Sequence, residues 1–523
     1  MRRRGFLGAS GAAVGGVLLG SCAPRPGVEH PAPSGVHFEG IGPFPSGVGS
    51  ADPTATAVLL WTRVHPDLDG GSGVDVEVEL SRSATFEPSA SVARFGATAT
   101  AARDHCVTID ATGLEAHTTY WYRFRHAGGT SPTGRTRTAP APGAAADVVR
   151  LAAFSCQRWT HGHYTAHADL ASLASEASSD VDLVVCLGDY VYNTGYADGV
   201  VVPGRDDPIQ DARTVEDFRS KYRLYRSDPN LQAVHARYPV VHVFDNHDGL
   251  EGPGDDQAAG ALAAFAEHVP VRWPEPGRIH RSLRWGDRLE LFLTDQRSYR
   301  DPVPKESGPL GTSTWERPEI LDPARSMLGE AQRDWLLDGL CGSTAQWKVI
   351  GSQLMFWPWR TWARLPWDPR GTGTYLNLTQ WDGYAAERLA ILDRLQAEDV
   401  RDTLVLSGDS HVFAAAQVAP DVDDPRSVPR VVDIGTGSVT SNNADESGLP
   451  TDDVTWPLLS AVNPNHLRFL ESERHGYAVV ELAPEAATVE LRSPRTIREP
   501  TSLVDVLARF TVPTGTQRLT RTA

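Results

Sequence analysis

Six short polar clusters in this chain carry side chains that bind cations or move protons. In order they are Ser155-Cys156-Gln157, Gly188-Asp189-Tyr190-Val191-Tyr192, Asp245-Asn246-His247-Asp248, Thr294-Asp295-Gln296-Arg297, Gly351-Ser352-Gln353 and Ser407-Gly408-Asp409-Ser410-His411. As chemicals they offer a thiol, a carboxylate with a phenol three residues on, an amide beside an imidazole, and a carboxylate two residues before a second imidazole. A thiolate from Cys156 and a phenolate from Tyr192 suit a transition metal, and together they suit a ferric ion; carboxylate and amide oxygens suit Ca²⁺, Mg²⁺ or Mn²⁺. Asp189 is the natural bridge between two such cations. Paired cations activate a bound hydroxide and neutralise the attacking and leaving oxygens of a displacement at phosphorus. An imidazole beside them can protonate the leaving oxygen as general acid.

These groups act together only if separate elements carry them to one place. Each cluster follows an apolar, strand-like run, at 149–154, 183–187, 240–244, 289–293, 347–350 and 403–406, and helical patterns fall at 164–177, 330–340 and 385–398. Ligand-binding residues just past the carboxyl ends of buried strands are the site rule of layered α/β proteins. One such ending means little; six in series predict a shared site. Runs at 430–434, 477–482 and 487–491 read as more hairpin-like. The expectation is therefore a mixed sheet, or two packed sheets, rather than a simple doubly wound one.

A length of 523 residues allows two to four domains, and 41% apolar residues support a sizeable core. With 66 acidic against 49 basic residues, specific nucleic-acid recognition is not expected, because phosphate neutralisation needs clustered Lys and Arg. Five cysteines in this length exclude a disulfide scaffold, and Cys106, Cys186 and Cys341 read as small core residues.

Arg2-Arg3-Arg4-Gly5-Phe6-Leu7 precedes a mild apolar run at 7–20, too short for a membrane-spanning helix of ~20 residues but suited to an export signal. Arg3-Arg4-Gly5-Phe6-Leu7 resembles a twin-arginine signal, and Leu19-Gly20-Ser21-Cys22 resembles the box before a lipidated cysteine. The expectation is an extracytoplasmic protein, secreted or anchored to the membrane by a lipid on Cys22. Residues 23–35, with Pro24, Pro26, Pro31 and Pro33, read as a tether. From 36 to 140 short alternating strands sit between Gly, Pro and Asp. Leu114, Thr118 and Tyr120 resemble the tyrosine corner of fibronectin type III domains, with Ala116 where proline is usual. Ala139-Pro140-Ala141-Pro142-Gly143 makes the linker to a second domain at 147–523.

The clusters at 188–192, 245–248 and 408–411 look like the ordered motifs of the calcineurin-like metallophosphoesterases, and their wording resembles the PhoD-type alkaline phosphatases and phosphodiesterases. Supporting matches are Ser155-Cys156-Gln157, Gly49-Ser50-Ala51-Asp52-Pro53 with Leu60-Trp61-Thr62-Arg63, Arg297-Ser298-Tyr299-Arg300, Met327-Leu328-Gly329 with Gln332 and Trp335, and Trp381-Asp382-Gly383-Tyr384. The ordered set is far more specific than any fragment. It implies a fibronectin-III-like β-sandwich followed by an α/β domain of two packed mixed sheets flanked by helices. It also implies hydrolysis of phosphoester substrates outside the cytoplasm with a ferric ion and calcium. Oxygen donors at the second position also admit Mg²⁺, Mn²⁺ or Zn²⁺. On this resemblance Cys156, Asp189 and Tyr192 become iron-side ligands, with Asp189 shared, while Asn246 and Asp409 fall on the second-metal side. His411 is a ligand of one ion or the other, and His247 is the acid or phosphate-contacting imidazole. The family often has two aspartates and a glutamate around that histidine, where this chain has Asp245, Asn246 and Asp248. The first motif lacks the Asp-x-His of most relatives, so iron selectivity rests on Cys156 and Tyr192.

Arg297 is a candidate for gripping the substrate phosphate through its fork geometry, set against an ion pair with Asp295 or Asp301. Of the two tyrosines near Asp189, Tyr190 reads as packing. His161, His163 and His167 read as surface or supporting groups. The run Phe356-Trp357-Pro358-Trp359, continued by Trp362 and Trp367, reads as loop packing, with the mouth for a lipid or aryl group as the alternative. The insert 193–228 reads as a lid. A monomer is expected. Two other functions fit parts of the pattern: a phospholipase D-type phosphodiesterase on lipid or polymer esters, and a cell-surface binding protein with a vestigial metal domain.

Overall fold

The computed structural model describes residues 42–175, 179–195, 201–252, 254–304, 318–362, 374–448 and 452–522. The export signal, Cys22, the tether and Trp367 lie outside the described residues.

The apolar runs are apolar on both faces, as strands buried on two sides must be. In the strand Val149–Phe154, Val149, Leu151 and Ala153 point into one core while Ala152 and Phe154 point into another. Leu289–Leu293 and Thr403–Ser407 divide the same way: Leu291, Leu293, Leu404 and Leu406 join the first core, and Phe292 and Val405 a third. The shared core lies between two seven-stranded sheets, and each outer face is covered by helices. The result is a four-layer helix–sheet–sheet–helix sandwich, as expected.

The first sheet runs Val240–His242, Leu183–Cys186, Val149–Phe154, Tyr477–Leu482, Ala486–Pro494, Val504–Pro513, Thr520–Arg521, with its first three strands parallel. Helices Thr165–Ser172, Val215–Tyr225, Pro229–Arg237 and Ala258–His268 cover it through Leu170, Phe218, Leu231 and Phe265. The second runs Arg281–Trp285, Leu289–Leu293, Trp347–Ser352, Thr403–Ser407, Val431–Thr436, Phe413–Val418, Leu467–Glu471, with four parallel strands inside antiparallel edges. Glu330–Gly342 and Ala385–Ala397 cover it through Leu336, Leu340, Ile391 and Leu395.

Two expectations need correction. The strand Val431–Thr436 does form a hairpin with Phe413–Val418, but its other neighbour, Thr403–Ser407, is parallel to it. Its carboxyl end therefore points the same way as the other strand endings. The insert is not a free lid in its described part. Arg205 pairs with Asp228 at 2.6 Å and lies over the ring of Trp159 at 3.5 Å, and Lys221 pairs with Asp207 at 2.6 Å. These buried pairs tie residues 205–207 to the helix Val215–Tyr225 and its end, and Arg205 Nε also donates to the carbonyl of Trp159 at 3.0 Å.

The N-terminal strands form a β-sandwich of a three-stranded and a five-stranded sheet. The hydroxyl of Tyr120 accepts the N–H of Glu115 at 2.9 Å, the tyrosine-corner bond that the sequence pattern predicts. The sandwich is fastened to the second domain by buried polar contacts: Asp52 to Arg281 at 2.7 Å, Arg63 and Arg223 to Asp104 at 3.0 and 2.7 Å, and Trp61 Nε1 donating to the carbonyl of Glu267 at 2.8 Å. Among the described residues no helix is long and apolar enough to cross a membrane.

Candidate active site

The parallel strands release their chains at one edge of the sandwich, and the loops there hold unusual backbone. Cys156, Asp189, Asp409 and His411 have φ of 57°, 51°, 59° and 55°, in the left-handed region that costs a non-glycine residue about 1–3 kcal/mol. Four strained residues among the predicted metal ligands mark a place where function overrides local preference. Gly188, at φ 105°, allows the loop carrying Asp189 to touch the loop carrying Asn246: a Cβ there would lie 2.4 Å from Asp245 Cβ.

The predicted residues converge. Ligand atoms of Cys156, Asp189 and His411 lie within 4.8 Å of one another. Asp189, Asn246, His247, Arg297, Asp409 and His411 all line one cavity of about 180 Å³. Tyr192 is buried beside them, its hydroxyl 2.5 Å from Ser441 Oγ, which also donates to the carbonyl of Cys156 at 2.9 Å. His411 Nδ1 donates to the carbonyl of Asn442 at 2.7 Å, which leaves Nε2 to serve as a ligand. This groups His411 with Cys156 and Asp189. Tyr190 packs elsewhere, stacked on Tyr222 and bonded to His235.

His247 is held from three sides. Its backbone N–H donates to Asp189 Oδ1 at 3.0 Å, its ring stacks on Tyr192 with centroids 4.2 Å apart, and its Nδ1 lies 3.1 Å from Asn193 Oδ1. With Nδ1 donating to that amide oxygen, Nε2 is the nitrogen left to exchange a proton.

Arg297 departs from both expected pairings. Its guanidinium pairs with Asp245 and, at 2.8 Å, with Asp409, and its Nη2 also donates to Asn246 Oδ1 at 3.1 Å. Asp295 instead accepts the backbone N–H of Arg297, and Asp301 accepts that of Ser326. The oxygens of Asn246 and Asp409 thus face a single cationic atom, as a cation held between them requires. Gln380 Nε2 donates to the other oxygen of Asp409. On one side the cavity has an apolar wall of Met355, Trp359, Leu376 and Val412. Trp357, stacked on Trp359, packs into the core as the loop-packing reading expects, while Trp359 also lines the cavity.

Burial, and after it the charges of Asp245, Asp248 and Asp409, pushes the Asp189 carboxyl well above the usual carboxylate range. Burial raises Asp245 and Asp248 to about 7. It also pushes the Cys156 thiol and the Tyr192 phenol well up, and His247 well down. Three carboxylates, a thiol and a phenol that burial keeps from ionising fit a site completed by cations, since metal binding deprotonates such ligands. Asp104, Cys106 and His268 make another close trio, at the domain interface, but Arg63 and Arg223 already neutralise Asp104.

Sequence reasoning missed Asn193, Gln380, Ser441 and Asn442. The last two sit past the strand Val431–Thr436, a seventh polar ending that the same rule would have found. His161 and His167 are buried supporting groups: His161 Nδ1 accepts the N–H of Asn442, and His167 bonds Gln157.

A model of the PhoD-like phosphatase family matches residues 151–491, and one of the PhoD-like phosphatase N-terminal domain matches residues 32–140. Alkaline phosphatase D of Bacillus subtilis (strain 168) is 30% identical over 498 residues, spanning 90% of this chain and 80% of the relative. The chain belongs to the PhoD-like phosphatase family. A solved structure of PhoD superposes with a TM-score of 0.80 at 28% identity, covering 94% of each chain. As a PhoD-like phosphatase the protein is a phosphoric ester hydrolase, which removes the reading as a binding protein with a vestigial metal domain. The family's strand-end motifs meet in the cavity described above.

Proposed function

We propose that this PhoD-like phosphatase is an exported, metal-dependent enzyme acting by in-line attack at phosphorus. The convergence of Cys156, Asp189 and His411 among mutually repelling carboxylates carries this reading. Cys156, Asp189, Tyr192 and His411 would hold a ferric ion, and Asn246, Asp409 and a shared Asp189 a calcium ion. Such a pair supplies Lewis acidity toward the phosphoryl oxygens and an activated oxygen nucleophile. His247, its Nδ1 held by Asn193, would present Nε2–H to the leaving oxygen as general acid in its imidazolium form, which the negative charge of a bound phosphoester favours against burial. Arg297 offers its fork to a phosphoryl oxygen at the cavity floor. The chain then divides into an export segment at 1–22, a tether at 23–35, the sandwich at 36–140 and the catalytic domain at 147–523, with Cys22 lipidated.

Asp189→Asn and Cys156→Ser are expected to lose bound iron and to lower hydrolysis of a chromogenic phosphoester at least ~100-fold. Full activity without iron in either variant would overturn the assignment. The apolar wall also favours diesters with an apolar alcohol, the phospholipase D-type reading. Turnover of monoester, diester and phosphatidylcholine side by side separates the two.

A further inference from the structure

Trp381-Asp382-Gly383-Tyr384 carries part of the family resemblance, yet none of these residues lines the active cavity. Trp381 and Asp382 instead help hold the segment that forms the cavity's apolar side. The chain leaves the strand Trp347–Ser352 and runs along that side as far as Arg360, with Met355 and Trp359 on the cavity wall.

Along this strap the backbone N–H groups go to side chains. Leu354 donates to Gln296 Oε1 at 2.9 Å and Met355 to Gln380 Oε1 at 2.9 Å. Phe356 and Trp357 donate to Asp433 Oδ2 at 2.7 and 3.0 Å, Trp359 to Asp382 Oδ2 at 2.9 Å, and Arg360 to Asn463 Oδ1 at 3.2 Å. Pro358 has no N–H to give. Asp382 is itself fixed by Arg388 at 2.7 Å, and the Trp381 ring packs on Phe356 with centroids 5.1 Å apart. Gln296, Gln380, Asp382, Asp433 and Asn463 are all buried, so the strap takes its position from fixed side chains rather than from a sheet ladder.

Of these five, Gln380 alone also lines the cavity, and it reaches a residue assigned to the second cation. The N–H of Met355 can only donate, so the amide oxygen of Gln380 must face it, and that turns Nε2 onto Asp409 Oδ2. Arg297 holds the other oxygen, Oδ1, at 2.8 Å. One planar amide thus fixes both the backbone of the wall and the carboxylate.

We propose that Gln380 is a positioning residue that registers the apolar wall to the reacting centre, and so sets a preference for an apolar group on the alcohol of the ester. This rests on the reading of the wall as the alcohol's side. Without the amide oxygen, the Met355 N–H is left buried with no acceptor, a penalty the strap escapes only by shifting.

The test compares phenylphosphonate with methylphosphonate, which differ in the group that stands for the alcohol and are not hydrolysed. Calorimetry on the metal-loaded full chain should show the phenyl compound bound roughly 10–100-fold tighter. Gln380→Met, which has neither acceptor nor donor, should cut that ratio about tenfold. It should also lower kcat on a chromogenic phosphoester, as Asp409 loses a donor. Gln380→Glu keeps an oxygen for the Met355 N–H and should retain the ratio. Iron content equal to that of the parent enzyme checks that both variants are folded. A Gln380→Met enzyme that keeps the ratio, or a Gln380→Glu enzyme that loses it to the same extent, overturns the role of Gln380 and leaves the wall reading standing. Equal binding of the two compounds by the parent enzyme, with Trp359→Ala changing neither, removes the wall as the alcohol's side and the proposal with it.

Discussion

Asn193 does two things for His247: its side-chain oxygen holds Nδ1 and its backbone N–H donates to the carbonyl of His247 at 2.9 Å. Asn193→Ala is therefore expected to lower kcat roughly 10–100-fold while KM changes little, because proton transfer loses its orientation but substrate binding does not. Steady-state kinetics on metal-loaded enzyme checks this. A second residue-scale prediction lies far from the cavity. Burial holds His466, whose Nε2 donates to the carbonyl of Pro358, at about 3. The unfolded chain binds a proton there below its ordinary pKa of ~6.5 while the folded chain does not, so this site costs stability progressively as pH falls from ~6.5 to ~3. His466→Gln should flatten that part of the decline in urea midpoints. The strand-end placement of Asp189, Tyr192 and Asp409 was legible in the sequence, whereas Asn193 was hidden because an asparagine opening a polar insert looks like any loop residue.

Strands act here as pointers. Each buries two faces and delivers its polar ending to the same edge, so the endings, rather than the strands, carry the chemistry. Gly188 joins two of these endings, and Gly188→Ala should cost about 2–4 kcal/mol through a forced φ and a clash with Asp245. Urea unfolding should show the loss, and the variant should bind less iron. The strand Val431–Thr436 escaped notice as a pointer because its hairpin with Phe413–Val418 is local in sequence, while its parallel pairing to Thr403–Ser407 is not. Similarly, the helix Val215–Tyr225 lies in the stretch read as a lid; the structure starts it at a capping box from Thr214 to Asp217, and its polar surface masked the face that covers the sheet.

At the scale of the whole molecule, acidic groups are concentrated inside as well as outside. Asp245 and Asp248, raised to about 7, bind more protons folded than unfolded between their ordinary ~3.8 and 7, so the metal-free protein loses stability as pH rises through that window. Chelation should lower the thermal midpoint, and by more at pH 8 than at pH 5; calorimetry with and without a chelator measures the difference. The order of residues by itself determined the donor chemistry, the strand-end placement and the two-domain plan, because composition, period and punctuation are local properties of a chain. Only the tertiary structure decided that Arg297 answers Asp245 and Asp409, that His411 joins Cys156 and Asp189, and that Gln380 bridges Asp409 and Met355. Those contacts arise where two sheets and their loops pack together, and no local pattern encodes the distance between residues so far apart in the chain.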